Sequence, residues 1–296
     1  MILECLRVNI LIGLIPALLW GIQPIILLKA RGSTINQLCG TVYGAFIVSL
    51  IVYLIYRPEI AMRPFILCLI SGMCWTFGQM TQYQAFKSMG IALGTPLSTA
   101  MQLIGNPITA VIFFQEWPTA MDKYKGFFAL LVIIIGIILI TKNGKQDAPG
   151  SNYRYKYGFW ILFIGTFGYI GYSAFPRLAN VSGSDAIFPQ AIGMVIAAII
   201  FSFFITEYRV QKPLFSKFSF ENMILGLIFG IAAFAYLVSI KLNGVATGFT
   251  LTQMDVVVAT LGGMILFHEV KGKRKIFFTI LGLLIIILGG ILIQTI

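Results

Sequence analysis

The sequence predicts an all-α membrane protein with ten transmembrane helices, arranged as two inverted five-helix repeats. Three observations carry that expectation. The chain is 58% hydrophobic and 10% charged, with a mean hydropathy of +0.92, whereas soluble domains hold roughly 25% charged residues. Ten apolar stretches each approach the ~20 residues that cross ~30 Å of hydrocarbon. The second five echo the first five in order, and an odd number of crossings per repeat turns the second repeat over.

The spans fall at about 8–28, 36–56, 65–86, 92–114, 124–141, 157–175, 186–206, 221–241, 246–267 and 275–294. Residues 1–142 form the first repeat, 143–156 a connecting loop and 157–296 the second repeat. Span 1 lacks a small-residue cleavage pattern and reads as a retained helix rather than a signal peptide. It carries Trp20 and Gln23 just before Pro24. Span 2 holds a GxxxG pair, Gly40 and Gly44, which suits close helix contact in lipid.

Span 3 places Trp75, Gln79, Gln82 and Phe86 on one helical face, at spacings of 4, 3 and 4. Span 4 adds a polar stripe of Ser98, Gln102, Asn106 and Thr109. Span 5 is apolar around Gly136. Span 6 carries Tyr169 and Tyr172 before Pro176. A proline inside a helix removes one hydrogen bond and leaves a carbonyl free. Span 7 supplies Gln190 and Gly193, and span 8 a second GxxxG at Gly226 and Gly230, then Tyr236. Span 9 contains Thr252 and Asp255, the one acid well inside a span, and span 10 contains Gly289-Gly290.

The repeat is read from ordered matches. Trp20 falls on Tyr172 and Pro24 on Pro176 at an offset of 152. Gln37 and Gly40 fall on Gln190 and Gly193 at 153; Gly72, Lys87, Gly90 and Gly94 fall on Gly226, Lys241, Gly244 and Gly248 at 154. Glu116 and Gly136 match Glu269 and Gly289 at 153, where Gln102 falls on Asp255.

The net charge of +11 is spread over loops, which argues against nucleic acid as a partner. Fourteen of the 21 Lys and Arg lie in the loops after odd-numbered spans. The positive-inside rule places that side in the cytoplasm of a multi-pass cell-membrane protein, with both termini outside. Cys5, Cys39, Cys68 and Cys74 have neither disulfide-framework nor metal-ligand spacing. The single His268 has no nucleophile and acid beside it inside a span, and no phosphate-binding lysine loop is present. An enzyme, a cofactor, a bound metal and ATP-driven transport are therefore not expected. No repeated ring of charge suggests an ion channel.

Polar groups at membrane depth face a bundle interior or a wet cavity. The candidate binding residues are Trp20, Gln23, Trp75, Gln79, Gln82, Ser98, Gln102, Tyr172 and Tyr236. Amides donate and accept as hydroxyls do, and aromatic faces cover the apolar C–H face of a pyranose. That pairing suits a small neutral polyhydroxylated solute. Asp255 is the candidate proton-coupling residue, because a desolvated carboxyl binds and releases a proton at higher pH than a free one. Its competing role is a neutral, hydrogen-bonded structural group. Glu116 and Glu269 lie at span ends and read as capping or positioning residues.

The chain also resembles the glucose/ribose porter family of the drug/metabolite transporter superfamily, over nearly its full length. The likeness rests on Leu19-Trp20-Gly21, on Trp75-Thr76-Phe77-Gly78-Gln79 with Gln82, on Thr95-Pro96-Leu97-Ser98-Thr99 with Gln102-Leu103, and on Glu116-Trp117. In the second half it rests on Gly244 to Gly248, Gln253, Thr260-Leu261-Gly262-Gly263, Glu269 and the basic run Lys271 to Lys275. The resemblance implies secondary uptake of a small neutral sugar of the glucose or ribose class, driven by protons. Asp255 departs from the family pattern, where a small residue follows the Gln-hydrophobic pair. Two other functions compete: an exporter of amino acids or amphipathic metabolites, with a more apolar cavity, and a membrane sensor or assembly subunit that transports nothing.

Overall fold

The computed structural model describes residues 2–115, 117–144, 151–181, 183–204, 212–243 and 251–294. These form α1 (Ile2–Lys29), α2 (Thr34–Tyr56), α3 (Met62–Met89), α4 (Ile91–Phe114), α5 (Ala120–Gly144), α6 (Ser151–Ala179), α7 (Gly183–Phe204), the short α8 (Lys217–Glu221), α9 (Met223–Asn243), α10 (Asp255–Leu266) and α11 (Lys273–Gln294). Among the described residues there is no strand, and nine helical segments are long and apolar enough to cross a membrane. The backbone must satisfy its own hydrogen bonds in lipid, and a helix does so within one segment.

Several helices run a few residues beyond the expected apolar spans, and two departures matter most. Helix α6 begins at Ser151, so residues 151–156, assigned to the connecting loop, are helical. A membrane helix need not stop at the hydrocarbon edge, because its internal bonds are equally available in the headgroup zone. The expected span at 246–267 is described only from residue 251, and there it is interrupted: Leu251-Thr252 is helical, Gln253-Met254 is a turn, and α10 restarts at Asp255 for 12 residues. Glu116 and the Gly244 to Gly248 segment lie outside the described residues.

Small residues set the helix contacts. Helix α2 crosses α9 through the two GxxxG pairs: a Cβ on Gly44 would strike the Met223 carbonyl and Gly226, and one on Gly226 would strike Thr41 and Ala45. Without a hydrophobic drive between helices in lipid, such backbone approach maximises dispersion contact. Helix α3 packs along α6 and α7, α5 along α11, α1 against α9 and α10, and α4 against α6 and α10.

Buried polar side chains finish the helix ends. Gln37 Nε2 donates to the carbonyls of Leu27 and Ala30 at 3.2 and 3.1 Å, closing the C-terminal end of α1. Pro176 has no N–H for the Tyr172 carbonyl, and the Ser71 hydroxyl donates to that carbonyl at 2.7 Å. Gln190 Nε2 donates in turn to Ser71 Oγ at 2.9 Å. The repeat-matched glutamines Gln37 and Gln190 are thus structural.

Candidate functional site

Helix α3 presents its Trp75-Gln79-Gln82 face toward α6. Close approach is possible because a Cβ on Gly168 would lie 2.5 Å from the Cys74 carbonyl and 2.8 Å from the Gly78 nitrogen. That contact brings the Tyr169 hydroxyl within 2.9 Å of Oε1 of both Gln79 and Gln82. Gln82 Nε2 donates to Ser98 Oγ at 2.7 Å, and Gln102 Nε2 donates to the same oxygen at 3.1 Å. A continuous polar chain therefore runs Gln79, Tyr169, Gln82, Ser98, Gln102 across α3, α6 and α4. A phenol carries one proton. It serves one of the two amide oxygens at a time and leaves the other available to an outside donor.

An aromatic cluster adjoins this chain through Trp75, one turn from Gln79. Trp75 and Phe229 have centroids 4.6 Å apart, Trp75 and Tyr172 6.5 Å, Trp20 and Phe229 6.2 Å, and Trp20 and Tyr236 6.0 Å. Four of the five rings are predicted binding residues, and Phe229 is the addition. The Trp20 indole nitrogen is buried and has no hydrogen-bond partner among the described residues. An orphaned donor at an aromatic wall is costly unless something supplies an acceptor.

The remaining candidates behave differently. Gln23 is 6% exposed and spends its amide on the Leu225 carbonyl at 3.2 Å and the Tyr83 hydroxyl at 3.4 Å, tying α1 to α9 and α3. Tyr83 also meets Thr41 Oγ1 at 2.9 Å and neighbours Gln79, so Gln23 reaches the polar chain through its neighbours. Thr109 returns its hydroxyl to the Gly105 carbonyl of its own helix. Asp255 is half-buried at the first residue of α10. Its backbone is pressed on α1: a Cβ on Gly21 would lie 2.8 Å from the Asp255 carbonyl oxygen.

Tyr169 and Phe229 were missing from the sequence-derived set. Tyr169 stands one turn before Tyr172 on the glycine face of α6. Phe229 falls on Trp75 at the repeat offset of 154. Both signals were present and depended on knowing which helices touch. Among the described residues, cavities also lie elsewhere. One of about 10 Å³ sits between Gln253 and α11, and one of about 420 Å³ is lined by Tyr53, Arg57, Glu59, Asp185 and Phe188 at the α2–α3 turn. Among the described residues no cluster of His, Cys, Asp and Glu could hold a metal.

Residues 11–296 match the sugar transport protein family. A protein of Listeria monocytogenes named for sugar uptake is 41% identical over 96% of this chain and 98% of its own. The glucose uptake protein of Bacillus subtilis is 38% identical over 96% of both chains, and a protein of Latilactobacillus sakei named for ribose uptake is 38% identical over 96% and 97%. A crystal structure at 15% identity covers 97% of this chain and 98% of its own with a TM-score of 0.60, a likeness of fold. With the family matched along almost its whole length and with relatives of this identity, the chain belongs to the sugar transport protein family.

Proposed function

We propose that this chain takes up a small neutral sugar across the cell membrane, gripping it between the polar chain of α3, α4 and α6 and the aromatic cluster around Trp75. The carrying observation is the Tyr169 hydroxyl set between two amide oxygens. Sugar hydroxyls can exchange into these bonds, each worth about 0.5–1.5 kcal/mol net, while Trp20 and Tyr172 cover the C–H face. The Trp20 N–H then gains an acceptor. Residues with spare donors and acceptors next to rings suit a sugar better than an amphipathic export substrate.

Two inverted repeats provide the moving parts in this reading. Contacts that exchange under the sequence offset support it. Trp20 meets Phe229 as Tyr172 meets Trp75. Gly136 abuts Ile286 as Gly289 abuts Ile133, and both glycines and both isoleucines are 153 apart. Uptake is coupled to protons through Asp255, which sits where a span is interrupted, as substrate- and ion-binding helices of transporters often are. Both termini face outside, on the charge asymmetry of the loops.

Counterflow of labelled glucose and ribose into proteoliposomes tests the sugar reading. Accumulation of either against its unlabelled form is expected. A protein that reconstitutes in monodisperse form and exchanges neither would sink it.

A further inference from the structure

The turn between α10 and α11 reaches across the chain to the start of α4. Glu269 Oε1 accepts the Ile91 N–H at 3.0 Å and Oε2 accepts the Ala92 N–H at 2.6 Å. Helix N-termini leave such amides without partners and carry positive potential, so an ionised carboxylate holding two of them is a strong, charge-assisted contact. The site is built for it. Gly90 has φ +82, and a Cβ there would lie 2.6 Å from the Glu269 carboxyl carbon. A Cβ on Gly263 would lie 2.7 Å from Glu269 Oε2 and 2.8 Å from the Ala92 nitrogen. Beside this carboxylate, Ala92, Met264 and Val270 form a small buried apolar contact.

We propose that Glu269 is a latch that closes this end of the bundle by holding the N-terminus of α4 to the α10–α11 turn. It is a positioning residue. Ser98 stands two turns along α4 from the held amides and Gln102 a further turn on, so the carboxylate fixes the α4 side of the polar chain. Opening at this end requires it to let go. The turn has a second hold on the bundle, because the Lys29 ammonium at the end of α1 lies 5.9 Å from the Phe267 ring centroid. The other titratable and charged residues of the region are Lys87 in the last turn of α3, and His268, Lys271, Lys273, Arg274 and Lys275 around the turn and the start of α11; the first turn of α4 has none. The consequence for transport rests on the sugar-uptake reading, but the latch itself can be read without any sugar.

The test uses the full chain, purified in detergent, with Cys5, Cys68 and Cys74 replaced by Ser and a reporter introduced as Ala92→Cys. Ala92 and Cys39 are both fully buried, in different clusters. Labelling by a soluble maleimide is expected to accelerate at position 92 about tenfold or more in Glu269→Ala, since two charge-assisted bonds are lost. Glu269→Gln, which keeps one acceptor oxygen, should fall between. Cys39 should stay at its original rate. Equal rates at position 92 with and without Glu269→Ala in monodisperse protein would overturn the latch. So would a matching acceleration at Cys39, which signals general loosening. Should Glu269→Ala not be monodisperse, Glu269→Gln decides by the same comparison. Failure of counterflow would leave this result untouched, so the two readings stand or fall separately.

Discussion

The two halves of the central site solve opposite problems with matching positions. On α3, Trp75 and Gln82 stand where α9 has Phe229 and Tyr236, both at an offset of 154. On α4, Gln102 stands where the second half has Asp255. At these positions ring stands against ring for Trp75 and Phe229, while the amides Gln82 and Gln102 stand against the ring of Tyr236 and the carboxyl of Asp255. Side chains that hydrogen-bond one another, as Gln79, Tyr169, Gln82, Ser98 and Gln102 do, hold their geometry before any solute arrives. Rings have no such directionality and supply area. The comparison separates two kinds of side chain rather than two halves: the amides come from α3 and α4 and are joined by Tyr169 of α6, while the rings come from α1, α3, α6 and α9.

The largest expected effect breaks the junction of the two. Trp75 is 3% exposed and touches both Phe229 and Tyr172. Trp75→Ala should lower stability by about 3–5 kcal/mol through the cavity it leaves, read as a drop in thermal midpoint in detergent. Trp75→Phe, which makes α3 resemble α9 at this position, should keep most of it. Equal losses would mean that the indole itself, rather than ring area, holds the junction.

Next is the carboxyl that replaces an amide. Asp255→Asn makes the second half match Gln102 in chemistry. Uphill sugar accumulation driven by a pH gradient should disappear while sugar exchange persists in part. Gradient-driven accumulation at the original level would remove Asp255 from coupling.

Smaller is the loss of the hydroxyl that joins the amides. Tyr169→Phe keeps the ring and leaves Gln79 and Gln82 to each other. Apparent sugar affinity should weaken by several-fold to about tenfold, on one to two neutral bonds. Tyr236→Phe, its counterpart among the rings, should change affinity little. The two variants measured side by side sharpen the division between the polar chain and the rings, and similar losses would erase it.

How much of this could be read from the chain follows from distance along it. Periodicity is local, so the face Trp75, Gln79 and Gln82 and the pair Ser98 and Gln102 were visible at helical spacing. The GxxxG pairs were visible too, though not that they meet each other. Gln23 looked like a binding residue and is spent on Tyr83 and Leu225, because a partner 202 residues away cannot be read from spacing. Glu269 was expected to cap or position the following helix. It holds the start of α4, 177 and 178 residues earlier, since the helix end it serves is brought to it by tertiary packing. The interruption at Gln253-Met254 left no Pro or Gly at that point in the sequence to mark it.

The smallest effect concerns the latch and pH. Burial raises the Glu269 carboxyl above its ordinary value of 4.5, and the two amides of α4 only partly offset this. The folded protein thus holds this proton more tightly than the unfolded chain does. The ionised latch still holds its two amides, but they do not offset the whole cost of burying the charge: net stability is greatest below about pH 4.5 and falls as pH rises through the raised value. Thermal midpoints across that interval should fall with rising pH, and Glu269→Gln should flatten the slope. An unchanged slope would place the pH dependence at another group.

The central claim is that the amides of α3 and α4 grip the sugar. The most direct measurement is apparent sugar affinity in counterflow for the double variant Gln82→Ala with Gln102→Ala, at matched reconstitution. Two neutral hydrogen bonds at about 0.5–1.5 kcal/mol each predict a weakening of roughly tenfold or more, with the maximal exchange rate less affected. An affinity equal to that of the unaltered protein would contradict the account and move the binding site off the polar chain.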